Sequence, residues 1–181
     1  MNNPSRILVA DIKGTTWLRI SGKGSFQNSP DLKAYTSEAI TAGHHNTFVI
    51  DLEDCTGMDS TFMGTLTGIA LKLGDDGSVH VINANTRNQQ LLENLGLDQI
   101  FKLDTDGSSW KTERNTVTTM LRTAGSNADL PNAELDKTGR AQHVLEAHEA
   151  LGDASDDNIV RFKDVVDFFR KDLEEGTGSA R

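Results

Sequence analysis

The stretch Phe48-Val49-Ile50-Asp51-Leu52-Glu53-Asp54-Cys55-Thr56-Gly57-Met58-Asp59-Ser60-Thr61-Phe62-Met63-Gly64 decides how the rest of the chain is read. It opens on an unbroken apolar run, Phe48 to Leu52, of the kind that forms a strand buried on both faces of a sheet. An acidic turn follows. Then Phe62, Met63, Leu66, Ile69, Ala70 and Leu73 recur at helical spacing and stop at Gly74, which predicts an amphipathic helix. Asp59 or Ser60 would stand at its start. The plain role for either is a cap, a side-chain oxygen accepting a hydrogen bond from an otherwise free backbone N–H and worth about 1 kcal/mol.

Upstream, Arg6 to Asp11 and Thr15 to Ser21 read as two short strands joined by a turn at Lys13-Gly14. Pro30 behind Asn28-Ser29 starts a helix that carries Leu32, Tyr35, Ala39 and Ile40 and ends before Gly43. Downstream, Val79, Val81 and Ile82 make a strand. Leu91, Leu92 and Leu95 make a helix ended by Gly96, and Ile100-Phe101 a last short strand. A further helix is expected across residues 112–123. Alternation of this kind calls for right-handed crossovers, so the fold class is α/β with a mixed, mainly parallel sheet and an N-terminal hairpin. Gly22-Lys23-Gly24-Ser25 reads as a plain turn, and Asp104-Thr105-Asp106-Gly107 as a polar turn without the ligand spacing of a calcium loop.

The charge divides the chain. Residues 1–125 hold 14 acids and 11 bases, whereas 126–181 hold 13 acids and 7 bases. The shift falls on Ala124-Gly125-Ser126-Asn127-Ala128-Asp129-Leu130-Pro131-Asn132, a small and polar stretch suited to a linker. The expected organisation is therefore a domain over 1–124, a linker over 125–132, and a C-terminal helical hairpin with a tail over 133–181. One helix of the hairpin presents Ala141, Val144, Leu145, His148 and Leu151. The other presents Ile159, Phe162, Val165, Val166, Phe169 and Leu173. Such helices need something to pack on. Val144, Leu145, Phe162, Val165, Val166 and Phe169 are expected to meet either the sheet domain or a second copy in a homodimer. Gly176 to Arg181 reads as a frayed tail.

A net charge of -9 repels phosphate backbones and anionic lipid, so no direct nucleic-acid binding and no membrane insertion are expected. The single cysteine, Cys55, rules out an intramolecular disulfide and a multi-cysteine metal site, and it is expected to pack as a small apolar residue. His143 and His148 are five apart and His44-His45 fall in a loop, so solvated histidines are the default and no metal or other cofactor is expected. No nucleophile-and-base constellation is visible, so the chain is not read as an enzyme. Without the apolar core of a signal peptide behind Met1-Asn2-Asn3-Pro4-Ser5-Arg6, the expected location is the cytoplasm.

A strand ending in Asp51-Leu52, followed by Gly57-Met58-Asp59-Ser60 and a helix, resembles the signature of the STAS domain, named after sulfate transporters and anti-sigma factor antagonists. The resemblance runs over about residues 6–122 and implies the STAS fold. In the antagonist branch the serine after that aspartate is the phosphorylation site, here Ser60, with Thr61 a secondary candidate. The resemblance implies a non-enzymatic phosphoprotein in signal transduction and transcription regulation. The unphosphorylated form would capture an anti-sigma factor serine kinase and free a sigma factor. Phosphorylation at Ser60 would end the capture, and a PP2C-type phosphatase would reset it. The expected partner-binding residues are Asp59, Ser60, Thr61, Phe62 and Met63.

The chain departs from the family pattern at two places. Thr61-Phe62-Met63 stands where the family commonly has Ser-Gly-Leu, and Gly22-Lys23-Gly24-Ser25 where it often has the acidic Gly-Glu-Leu-Asp. These departures favour the alternative, a STAS scaffold or ligand-binding accessory of a transport or stress-signalling complex that works without phosphorylation.

Overall fold

The computed structural model describes residues 4–178. Met1 to Asn3, part of the segment read for a signal peptide, and Ser179 to Arg181 of the expected tail lie outside the described residues. Gly176 to Gly178 close the last helix rather than fray from it.

The chain opens with strand β1 (Arg6–Ile12) and strand β2 (Thr15–Gly24), paired antiparallel in register from Arg6 with Ser21 to Ile12 with Thr15. Lys13 and Gly14 both sit at positive φ, 49° and 77°, which is the geometry a tight two-residue hairpin demands. Helix α1 (Ser29–Thr41) leads into β3 (Thr47–Asp51), which joins β2 in parallel. A short strand β4 (Cys55–Met58) pairs with the far end of the same β2, Gly22 with Cys55 and Gly24 with Met58, across a register shift between Gly22 and Lys23. Helix α2 (Ser60–Leu73) and strand β5 (Ser78–Ile82) follow, then helix α3 (Thr86–Asn94) and strand β6 (Lys102–Leu103). The sheet order is β1-β2-β3-β5-β6, and every pairing except the hairpin is parallel.

Two segments differ from the reading of the sequence. Gly22 to Gly24 is strand, not turn: Gly22 takes φ 79°, which bends β2 without ending it. The last strand lies at Lys102–Leu103, one step beyond Ile100-Phe101, because Leu97–Gln99 winds into a 3-10 turn and Phe101 is buried as its anchor.

The sheet is covered on both faces, as the apolar run of β3 requires. Phe48 and Ile50 point into the main core with Leu18, Ile20, Leu32, Phe62 and Leu66. Val49 points the other way, with Trp17, Ile82, Val117 and Leu121, under helix α4 (Lys111–Ala124). Each fully buried side chain of this size contributes about 1.5–3 kcal/mol. Asp51 is buried on the α4 side and fully occupied: it accepts from Arg19 Nε (2.9 Å), Trp17 Nε1 (3.1 Å), Asn83 Nδ2 (2.8 Å) and the Glu53 amide (3.1 Å). With all four partners made, the side chain leaves no buried polar atom unpaired and fixes the exit of β3.

After α4 the chain runs back along β1. Leu8 bridges Asp129, the Leu130 amide donates to the Ile7 carbonyl at 3.0 Å, and Arg6 forms a two-armed ion pair with Asp129. Residues 130–136 then carry no regular structure and lead to helices α5 (Lys137–Ala154), α6 (Asp156–Arg161) and α7 (Lys163–Gly178). Helix α5 lies on α2, and α7 lies on α5, tied to it by Arg170 and Glu149 at 2.7 Å. Leu145 is buried in this packing and Val144, Phe162, Val165, Val166 and Phe169 are half-buried, while Ile159 faces solvent.

Candidate functional site

Strand β4 places Met58 beside Gly24, and the next residue turns into α2. Asp59 is the N-cap, with extended backbone and its Oδ1 accepting from the Phe62 amide at 2.9 Å. Its Oδ2 accepts from the Phe26 amide at 2.9 Å, and its own amide donates to the Gly24 carbonyl at 3.0 Å. One residue thus joins the end of β2, the loop before α1 and the first turn of α2. Ser60 follows directly, half-buried, at the positive end of the helix dipole.

Of the residues expected to meet a partner, Asp59 and Ser60 reach the edge of the fold. Thr61 is buried at the start of α2, and Phe62 and Met63 point into the core. Phe62 has a specific partner there. A Cβ on Gly24 would lie 2.7 Å from the Phe62 ring, so the bulky residue after the serine and the glycine at the end of β2 are one packing solution. The two departures from the family pattern are coupled in space.

Ser60 is not open to solvent on the side of α5. Its Oγ lies 3.0 Å from His148 Nε2, and His148 Nδ1 lies 2.7 Å from the Val144 carbonyl. A carbonyl only accepts, so Nδ1 donates. In the neutral ring Nε2 is then the acceptor, and the Ser60 hydroxyl donates to it. One helical turn earlier on α5, His143 Nε2 lies 2.8 Å from Ser29 Oγ on α1 and 3.4 Å from Thr65 Oγ1 on α2. Burial, and secondarily the Lys33 cation, lower the His143 pKa to about 4. Lys33 itself pairs with Glu146. Burial raises the Glu146 pKa, but the hydrogen bonds from Lys33 and Gln142 outweigh it and hold the carboxyl below its ordinary value.

Both histidines of α5 are therefore buried ligands of hydroxyl groups, which corrects the expectation that they are solvated. His148 already stood on the apolar stripe with Ala141, Leu145 and Leu151. A histidine amid that stripe was the signal. His45 is likewise engaged, with Nδ1 2.8 Å from Thr16 Oγ1. Cys55 is buried as expected, and burial raises its thiol pKa.

The STAS domain description matches residues 6–109. The chain belongs to the STAS family. Solved structures show the same fold at low identity. An anti-sigma factor antagonist from Mycobacterium paratuberculosis aligns with TM-score 0.52 and 22% identity, covering 67% of this chain and 99% of that one. The unphosphorylated form of the anti-sigma factor antagonist SpoIIAA aligns with TM-score 0.50 and 18% identity, covering 66% of this chain and 98% of that one. A putative antagonist from Thermotoga maritima aligns with TM-score 0.51 and 17% identity, covering 64% and 94%. No curated protein matches the chain. Among the described residues of this STAS protein, no helix is long and apolar enough to cross a membrane, and no group of three or more His, Cys, Asp or Glu is placed to hold a metal ion.

Proposed function

We propose that this STAS protein is a partner-switching regulator, a non-enzymatic cytoplasmic phosphoprotein switched at Ser60. Unphosphorylated, it binds an anti-sigma factor serine kinase and so releases a sigma factor for transcription. Phosphorylation ends the binding and a PP2C-type phosphatase restores it. The observation that carries the reading is the position of Ser60, directly after the N-cap Asp59 at the edge where β2, β4 and α2 meet. Helix amides and the dipole tolerate a phosphate there, so the sheet and the helices packed on it need not change. The added charge of about -1.5 to -2 acts instead on whatever docks over Asp59, Asp54 and Glu53. Like charges brought together at an interface cost several kcal/mol, on the scale of the roughly 5.5 kcal/mol needed to invert a 99:1 equilibrium.

Incubation with the cognate anti-sigma kinase and ATP, followed by mapping of the phosphate by mass spectrometry, tests the reading. Incorporation is expected at Ser60 and lost in Ser60→Ala. Absence of phosphate from both Ser60 and Thr61 refutes it. A second reading, a STAS scaffold or accessory that is not phosphorylated, is favoured by the hydrogen bond that holds Ser60 beneath α5. Equal partner affinity of wild type and Ser60→Asp would select it.

A further inference from the structure

The outer face of α2 is unlike its inner one. Inward it presents Phe62, Leu66 and Ile69; toward α5 it presents Ser60, Gly64, Thr65 and Gly68. A Cβ on Gly64 would meet the Ala147 carbonyl oxygen at 2.1 Å, and one on Gly68 would lie 3.7 Å from Ala150 Cβ. The two helices approach to the limit of their backbones. Along this stretch what lies between them is small and polar, hydroxyls matched to His143 and His148, and the apolar contribution of α5 is concentrated at its C-terminal end, where Leu151 enters the main core.

The family's own domain does not include α5. The family match ends at residue 109, and the similar antagonist structures are covered almost to their full length by about two thirds of this chain. The segment 130–136 leads into α5 without regular structure, tied to α1 by the Ala133 amide donating to Asp31 Oδ1 at 2.7 Å, with Pro131, Asn132 and Glu134 exposed.

We infer that the α1–α2 face bearing Ser60 is a protein-docking surface that α5 occupies in cis, so that a partner or a kinase reaches Ser60 only when the C-terminal helices swing away. This rests on the switch reading for the identity of the partner, but not for the existence of the cover. Phosphorylation would remove the Ser60 hydroxyl donor that meets His148 Nε2, and a kinase must reach an oxygen that the closed α5 flanks, so the closed cover opposes phosphorylation. By linkage, whatever stability of the cover phosphorylation costs, closure of the cover takes from phosphorylation.

Hydrogen exchange on the unmodified full chain tests whether the cover opens on its own. Amides of 137–154 are expected to exchange through an opening that leaves β2, β3 and β5 protected. If they exchange only together with the sheet, α5 is part of the core and the inference is overturned. A second measurement uses Ser60→Cys in a chain that also carries Gly68→Cys and Ala150→Cys. The 3.7 Å separation at these positions lies within the roughly 3.5–4.5 Å that a disulfide spans between Cβ atoms. Alkylation by iodoacetamide, read at residue 60 by mass spectrometry, should slow roughly tenfold or more when the lock is oxidised. Equal rates in the oxidised and reduced forms overturn the cover.

Phosphorylation of the Gly68→Cys, Ala150→Cys chain with Ser60 intact separates the two readings. Phosphate in the reduced form alone supports both. Equal phosphorylation of both forms sinks the cover and leaves the switch. Phosphate in neither sinks the switch, and the exchange and alkylation results then decide the cover alone.

Discussion

Helix α2 is packed twice, and by different chemistry. Beneath it, Phe62, Leu66, Ile69 and Leu73 interlock with the sheet in an apolar core. Above it, glycines admit the α5 backbone, and serine and threonine hydroxyls meet two histidines. The first kind of packing is strong, non-directional and ruined by any loss of volume. The second is directional, and it yields to steric bulk or to protonation. One helix thus anchors a permanent core and offers a surface that can be exchanged.

The largest effect that separates the two faces is expected from Leu66→Ala. It removes a fully buried side chain beneath α2 and should cost about 2–5 kcal/mol of global stability, seen as a lower urea midpoint for sheet and helices together. Loss confined to the C-terminal helices would mean that the two faces have been assigned the wrong way round. Gly24→Ala should cost about 1–3 kcal/mol, because its Cβ has no room beside the Phe62 ring. Phe62→Leu should recover part of that cost in a double-mutant cycle. Strict additivity of the two substitutions would break the link between them.

That link shows what was legible in the sequence and what was not. The unbroken apolar run of β3, the cap at Asp59 and the stripe of α2 are local signals, and local physics places them. The match between Phe62 and Gly24 is not local: each looks like an unrelated departure until β4 lays α2 against the end of β2. The short β4 was hidden in an acidic turn, because alternate exposure of Cys55, Thr56 and Gly57 is too brief a pattern to announce a strand. The histidines escaped for the same reason. Spacing argued against His143 and His148 as a metal-ligand pair, but only the docking of α5 on α1 and α2 brings Ser29, Thr65 and Ser60 to their rings.

Acid should act on the upper face before the lower one. Burial and Lys33 hold the docked His143 at a pKa of about 4, against the opposing pull of Glu146 on its own helix and Asp59 at the start of α2. Released, the ring returns to about 6.5. Below pH 6.5 the undocked form therefore binds more protons, so docking weakens as pH falls from about 6.5 to about 4, and above that window it is unaffected. Between pH 7.5 and 5 the protection of α5 amides, relative to those of β3, should drop roughly tenfold after allowance for solvent screening. His143→Gln keeps a hydrogen-bonding side chain without the titration and should flatten the profile. An unchanged ratio across that range in the native protein would show that His143 does not couple docking to pH.

The smallest effect should come from Ser60→Ala, and it is also the most selective. The hydroxyl contributes one neutral hydrogen bond, to His148, so its loss should weaken the upper face by about 0.5–1.5 kcal/mol. The lower face has no part in that bond, and Asp59 keeps the cap through the Phe62 amide. Protection of α5 amides should fall about threefold to tenfold while the urea midpoint of the sheet stays put. Ser60→Thr offers the same hydroxyl and should restore the protection if its methyl group clears the helix. Ser60→Cys, a weaker donor of similar size, should lie between wild type and alanine. A uniform loss across sheet and helices in Ser60→Ala would place the serine in the core it borders rather than in the joint it holds.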